Sequence, residues 1–129
     1  MIAGHIMVVD DDLDTRDTLV LALELLGQRA VAIDSGAAAL RALSAAHDAE
    51  SPFTLAIVDV GMPDMSGYEL VSTIRRGDGG TSLLVVALTG RVSPADRARA
   101  LDAGFDAHLS KPVDLSDIRE LLQWAGARV

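Results

Sequence analysis

Five polar residues stand where apolar runs of this chain stop. Their types suit the handling of an oxygen-rich anion. Asp10 and Asp11 follow the run His5-Ile6-Met7-Val8-Val9. Asp59 follows Phe53 to Val58, Thr89 follows Leu88, and Lys111 stands just past Leu109. Carboxylates that converge repel each other, and two unit charges about 4 Å apart cost roughly 4 kcal/mol at a surface-like effective dielectric. A cluster of three therefore needs a compensating cation or raised pKa values. Mg²⁺ is the natural partner, because it binds through one or two carboxylates plus waters and a phosphate. Lys111 adds a fixed positive charge and Thr89 a hydroxyl. Together these groups suit a phosphoryl group, with a carboxylate available as nucleophile.

Two alternating apolar periods indicate the elements that must position these residues. The run ending at Val9 is a short strand, and Leu19, Ala22, Leu23 and Leu26 then fall on one helical face that Gly27 ends. Ala30 to Ile33 reads as a second strand and Ala37 to Ala46 as a second helix. Phe53 to Val58 is a third strand, followed by a helix within Met65 to Arg76 that carries Leu70, Val71 and Ile74 on one side. Gly77 to Gly80 is a loop, and Ser82 to Leu88 a fourth strand. Ser93-Pro94-Ala95-Asp96 starts a helix, with Ser at the N-cap and Pro at the first helical position. Phe105 to Leu109 is a fifth strand, and Asp114 caps a last helix bearing Ile118, Leu121 and Leu122.

Strands that read as near-continuous apolar runs are buried on both faces. That pattern predicts an α/β fold, a doubly wound parallel sheet of five strands with helices on either side. Ligands of such sheets bind beyond the carboxyl ends of the strands, where strand order reverses. If the first and third strands are neighbours, Asp10, Asp11 and Asp59 meet there.

The 129 residues suit one domain, expected to span 1–129. Half of them are hydrophobic and only 3% aromatic, so the core must be built from Ala, Val, Leu and Ile. Without cysteine, disulfides, thiolate zinc sites and cysteine nucleophiles are excluded. A formal net charge of −8 argues against direct nucleic-acid binding and against an anionic membrane surface. No apolar run approaches the length of a membrane span. The first five residues lack a basic region followed by an apolar stretch, so a cytoplasmic location is expected.

Four segments resemble the receiver domains of response regulators in two-component systems. They are Val8 to Asp12, Ile57 to Gly67 (Ile-Val-Asp-Val-Gly-Met-Pro-Asp-Met-Ser-Gly), Val86 to Gly90, and Leu109-Ser110-Lys111-Pro112. Each alone is weak. All four in order, each at a strand end, are specific, and the resemblance covers His5 to about Ala125. It implies a flavodoxin-like sheet in order 2-1-3-4-5. It implies that Asp59 is the phosphoacceptor, that Asp11 ligates Mg²⁺, and that Asp10 holds the metal's water shell. The Gly61 carbonyl would be a further metal ligand beside Asp59. Thr89 would bond the phosphoryl group and move on activation, and Lys111 would pair with it. The Lys111-Pro112 bond would be cis. The implied role is a signalling switch rather than an enzyme, charged by a histidine kinase or a histidine phosphotransfer protein. Activation would reshape the surface of the fourth helix, fifth strand and fifth helix.

Two departures from the family pattern stand out. His108 occupies the position, three residues before the lysine, where the family usually has an aromatic that turns inward on phosphorylation. It is a candidate switch residue and equally a partly exposed core histidine. Gly90 follows Thr89 where Ala is also common, and the missing methyl should open access to the site. The segment Gly104 to Leu109 looks most like receivers of hybrid sensor histidine kinases, so a kinase-attached receiver and a stand-alone regulator both remain open. So do a monomer and a weak homodimer.

Blander readings apply to some residues. Asp12 reads as an N-cap rather than a site residue. Arg91, Arg97 and Arg99 read as a solvated helix face, and Met62 and Met65 as packing. Rival functions fit less well. A haloacid-dehalogenase-like phosphatase wants Asp-x-Asp-x-Thr after the first strand, and here Asp14 stands in place of Thr. A Ca²⁺ loop would need Gly and Glu where Thr15 and Leu21 stand. A receiver fold kept only for binding would not need the full set Asp10, Asp11, Asp59, Thr89 and Lys111.

Overall fold

A computed structural model describes residues 5–77, 82–90 and 93–128. Strands and helices alternate strictly: β1 His5–Val9, α1 Leu13–Leu25, β2 Arg29–Ile33, α2 Gly36–Asp48, β3 Phe53–Asp59, α3 Gly67–Arg76, β4 Leu84–Thr89, α4 Pro94–Ala103, β5 Ala107–Ser110 and α5 Leu115–Gly126. All strand pairs are parallel, in the order β2-β1-β3-β4-β5. The expected architecture is the observed one.

The alternation of side chains along a strand divides the core in two. Met7, Val9, Ala56, Val58, Val85 and Ala87 point to one face, which α2, α3 and α4 cover through Ala39, Leu70, Val71, Ile74 and Ala100. Ile6, Val8, Leu55, Ile57, Val86 and Leu88 point to the other, which α1 and α5 cover through Leu19, Leu23, Ile118, Leu121, Leu122 and Ala125. Burial on both faces holds for β1, β3 and β4 only. β2 and β5 are edge strands, and Arg29, Val31, Ala32, His108 and Ser110 are exposed. An edge strand has one neighbour, so solvent reaches it from the side as well as around the covering helices.

Caps set all five helix starts as the residue types dictate. Asp12, Ser35, Ser66, Ser93 and Asp114 each accept from a backbone N–H three residues on. Asp114 and Asp117 form a reciprocal pair of such bonds, at 2.8 and 3.0 Å. Boundaries differ from the sequence expectation by a few residues. β4 begins at Leu84 and reaches Thr89, and β5 runs from Ala107 to Ser110. Phe105 instead turns into the core between α4 and β5. In the loop expected at Gly77 to Gly80, residues 78–80 lie outside the described residues, as does Arg91.

α3 and α4 are joined by one cationic clamp. Arg75 donates from Nε and Nη2 to the Gly104 carbonyl at 2.9 and 2.8 Å, and from Nη1 to the Leu83 carbonyl at 2.6 Å. It also pairs with Asp106 at 2.8 Å, and that carboxylate accepts from the Val85 N–H at 2.8 Å. Ser72 Oγ donates to the Ala103 carbonyl at 3.4 Å. Gly104 ends α4 at φ +118°, the left-handed region open to glycine, and a Cβ there would lie 2.9 Å from Arg75 Cγ.

Candidate functional site

Because β1 lies between β2 and β3, the chain leaves β1 toward one side of the sheet and β3 toward the other. The crevice at their carboxyl ends is where the strand order reverses. Val9 pairs with Val58, so Asp10 and Asp59 emerge side by side. Leu88 pairs with Asp59, so Thr89 lies one residue further out at the same end. Thr89 pairs with Ser110, which delivers Lys111 to that end as well, and the Lys111 N–H donates to the Thr89 carbonyl at 2.9 Å.

Three carboxylates converge in this crevice. One oxygen each of Asp10, Asp11 and Asp59 lies within 4.8 Å of the others. Asp10 is fully buried, Asp59 is 8% exposed, and Asp11 is exposed at the rim. Asp10 Oδ1 accepts from the Asp12 N–H at 2.9 Å, and Asp59 Oδ1 from the Gly61 N–H at 3.1 Å. Lys111 Nζ stands 3.3 Å from Asp10 Oδ2 and 3.6 Å from Asp59 Oδ2. Asp10 Oδ2 is nonetheless buried without a hydrogen bond, so its contact with Lys111 is an ion pair rather than an aligned bond. A buried carboxylate oxygen lacking a hydrogen bond is costly unless a cation completes it. Asp10, Asp11 and Asp59 thus fit a hard divalent ion by donor type and by this incomplete oxygen.

The charges are mutually tuned. Burial, and secondarily the Asp59 charge, push the Asp10 carboxyl above its ordinary range, against the pull of the Asp12 N–H and Lys111. For Lys111 burial favours the neutral amine, but the carboxylates of Asp59 and Asp10 outweigh it and hold the ammonium above its ordinary value. The site therefore keeps a fixed cation beside carboxylates that are short of positive charge.

Asp12 stays out of this cluster. Its carboxylate caps α1, accepting from the Thr15 N–H and hydroxyl, and the hydroxyl bond holds it below the ordinary carboxylate range. An Asp-x-Asp phosphatase site needs that second carboxylate free, so the structure favours the three-carboxylate reading. Met62 is buried, and Met65 packs on Gly36, where a Cβ would stand 2.7 Å from the Met65 sulfur. The Lys111-Pro112 peptide bond is cis.

Thr89 is half-buried and His108 exposed, and both line a cavity of about 10 Å³ behind the site. Two neighbours of the site were not evident from sequence. Arg16 donates from Nη1 to the Asp10 carbonyl at 2.9 Å, fixing the backbone from which Asp10 projects. Tyr68 of α3 lines the cavity behind Thr89, with Arg99 of α4 4.0 Å above its ring. Only its being the sole tyrosine of the chain sets Tyr68 apart in the sequence.

The family model described as the response regulator receiver domain matches residues 6–123. A 14.6 kDa protein from the sodA1 3′ region of Leptolyngbya boryana is 40% identical over 118 residues, covering 92% of this chain and 86% of that protein. The transcriptional regulatory protein KdpE of Mycobacterium tuberculosis is 32% identical, over 95% of this chain and 51% of its own length. The virulence sensor protein BvgS of Bordetella pertussis is 38% identical, over 96% of this chain but 10% of its own length. Among solved structures, the receiver domain of the sensor histidine kinase PA1611 of Pseudomonas aeruginosa superposes with a TM-score of 0.79 at 27% identity. That match covers 96% of this chain and 99% of that one, and the structure carries a magnesium ion in its active-site cleft.

Proposed function

The chain belongs to the response regulator receiver domain family, the signalling domains of two-component systems, and we propose that it is switched by phosphorylation of Asp59 with Mg²⁺ as cofactor. The observation that carries this reading is the convergence of Asp10, Asp11 and Asp59 around an incomplete buried oxygen, with Lys111 Nζ 3.3 and 3.6 Å from two of them. Asp59 is the acceptor because it combines a small exposed edge, 8%, with a fixed orientation. The Gly61 N–H holds one of its oxygens, and its backbone ends a central strand. Asp10 is sealed from any donor.

Asp10, Asp11, Asp59 and the Gly61 carbonyl would hold the ion. When bound, Mg²⁺ offsets the clustered negative charge and stabilises that of the transferring oxygens. The chain's own residues do the rest. A phosphohistidine of a histidine kinase or phosphotransfer protein is presented at the crevice. An Asp59 oxygen attacks phosphorus in line as the bond to the histidine nitrogen breaks. Lys111 pairs with the phosphoryl oxygens, so positioning and electrostatics carry the transfer. The Thr89 hydroxyl is drawn to the new group, and with His108 at the cavity rim it reshapes the surface of α4, β5 and α5. This is a population shift driven by contacts that exist in one state only.

The domain acts in the cytoplasm as a switch, not as an enzyme with a turned-over substrate, and as a monomer or weak homodimer. Its likeness to BvgS supports a place inside a hybrid kinase, and its likeness to KdpE supports a regulator. No helix among the described residues is long and apolar enough to cross a membrane.

Intact-mass measurement after incubation with acetyl phosphate tests the reading. A Mg²⁺-dependent gain of one phosphoryl group, lost in Asp59→Asn, is expected. No gain from acetyl phosphate or from a phosphohistidine protein would overturn it.

A further inference from the structure

The cavity behind Thr89 measures about 10 Å³. A single water needs about 10–15 Å³, so no imidazole fits. If Thr89 is drawn away and His108 is to turn inward, one of the cavity's other walls must yield first. Val60, Ala87 and Ala100 are compact residues packed in or against the core, Asp96 accepts from the Ser93 hydroxyl at 2.6 Å, and Arg97 is an exposed side chain of α4 itself. Tyr68 is a large, half-buried side chain, able to rotate as a unit.

Tyr68 is also tied at both ends of the path. Gly67 before it lies against the acceptor's own backbone: a Cβ there would stand 2.7 Å from the Asp59 carbonyl oxygen and 2.7 Å from Val60 Cα. The Gly67 N–H donates to the Val60 carbonyl at 3.2 Å. On its other side the ring stands edge-on to Phe105, 6.1 Å between centroids, and carries the Arg99 guanidinium of α4 at 4.0 Å. The far end of α4 is held by the Arg75 bonds to Gly104 and the Ser72 bond to Ala103. α4 is thus clamped at its C-terminal end and held along its length by a cation–π contact with Tyr68.

We propose that Tyr68 couples phosphorylation of Asp59 to α4. As Thr89 moves, the Tyr68 ring leaves its place, the Arg99 contact breaks, and α4 pivots about the Arg75–Gly104 clamp. This rests on Asp59 being the phosphoacceptor.

Because Tyr68 is the only tyrosine, 3-fluorotyrosine labelling gives a single fluorine resonance. Samples treated with acetyl phosphate and Mg²⁺ would be followed by fluorine NMR, by hydrogen exchange of α4 amides, and by intact mass. In the wild type the resonance shifts and α4 exchange accelerates as the mass gain appears. Arg99→Gln, an exposed residue outside the acceptor site, leaves the mass gain intact. It speeds α4 exchange about two- to five-fold before phosphorylation, the worth of an exposed cation–π contact, and shrinks the further change. A phosphorylated protein with an unmoved Tyr68 resonance would overturn the coupling and leave the acceptor reading standing. So would wild-type α4 exchange in Arg99→Gln. No mass gain in the wild type would overturn the acceptor reading and the coupling with it.

Discussion

Asp10 makes the conflict between folding and binding visible in one side chain. It is fully buried, and burial together with Asp59 raises its pKa above 3.8. The folded state thus holds the Asp10 proton more tightly than the unfolded state does. The stability this supplies is complete below the ordinary value and is lost as pH rises through the folded value. At neutral pH an ionised Asp10 costs stability that a cation would restore. Asp10→Asn removes the charge and keeps the shape, while Lys111 keeps Asp59 at 3.6 Å. We expect it to gain about 1 kcal/mol at pH 7 without divalent ions, and to gain less near pH 4, where the wild type is already partly protonated. Urea denaturation in EDTA at both pH values checks this. A loss at pH 7 would mean that the Asp10–Lys111 attraction exceeds the burial cost. That Asp10, Asp11, Asp59, Thr89 and Lys111 gather at one end of the sheet was legible because each ends or follows an apolar run, where a polar residue has few structural uses. Tyr68 was not, because one aromatic on a helix reads as packing until its neighbours are known.

Among the elements, α3 is the one that packs against Asp59, the proposed acceptor. Its first residue, Gly67, has no room for a side chain against Asp59 and Val60, and both obstacles are backbone. Gly67→Ala must therefore push α3 away from the strand end. A cost of about 1–3 kcal/mol is expected, as for overpacking, along with slower phosphorylation as the Asp59 loop shifts. Gly36→Ala is the control. Its three nearest atoms all belong to the Met65 side chain: the sulfur at 2.7 Å can swing aside, and Cβ and Cγ at 3.0 and 3.1 Å need to give by only a few tenths of an ångström. Denaturation midpoints and an intact-mass time course of both variants check the pair, and equal effects would remove the special role of Gly67. The sequence pattern revealed α3 through its Leu70, Val71 and Ile74 stripe and indicated why Pro94 opens α4. It did not reveal the exposure of β2 and β5, since an apolar run does not disclose whether a strand has one neighbour or two. Nor did it reveal the Arg75 clamp, whose partners lie 8 to 31 residues away in sequence.

For the molecule as a whole, the acidic excess and the site act together. The chain carries a formal net charge of −8, and it concentrates three carboxylates within 4.8 Å at one end of the sheet. The unfolded chain has no such cluster, so a divalent ion that binds the cluster stabilises the folded state alone. At one hundred times its dissociation constant, that linkage is worth about 2.7 kcal/mol. In a domain of this size each kcal/mol moves the melting temperature by about 4 °C, so Mg²⁺ at that level should raise it by roughly 10 °C. Sodium chloride at matched ionic strength screens the general repulsion but cannot complete the buried Asp10 oxygen, so its effect should be much smaller. Asp10→Asn should start higher than the wild type in EDTA yet lose most of the Mg²⁺ increment, and Asp59→Asn should lose it too. Thermal melts of the three proteins in EDTA, Mg²⁺ and matched sodium chloride separate the two causes. Equal shifts in both salts, or an undiminished Mg²⁺ shift in both variants, would mean that the ion relieves overall charge rather than occupying the crevice.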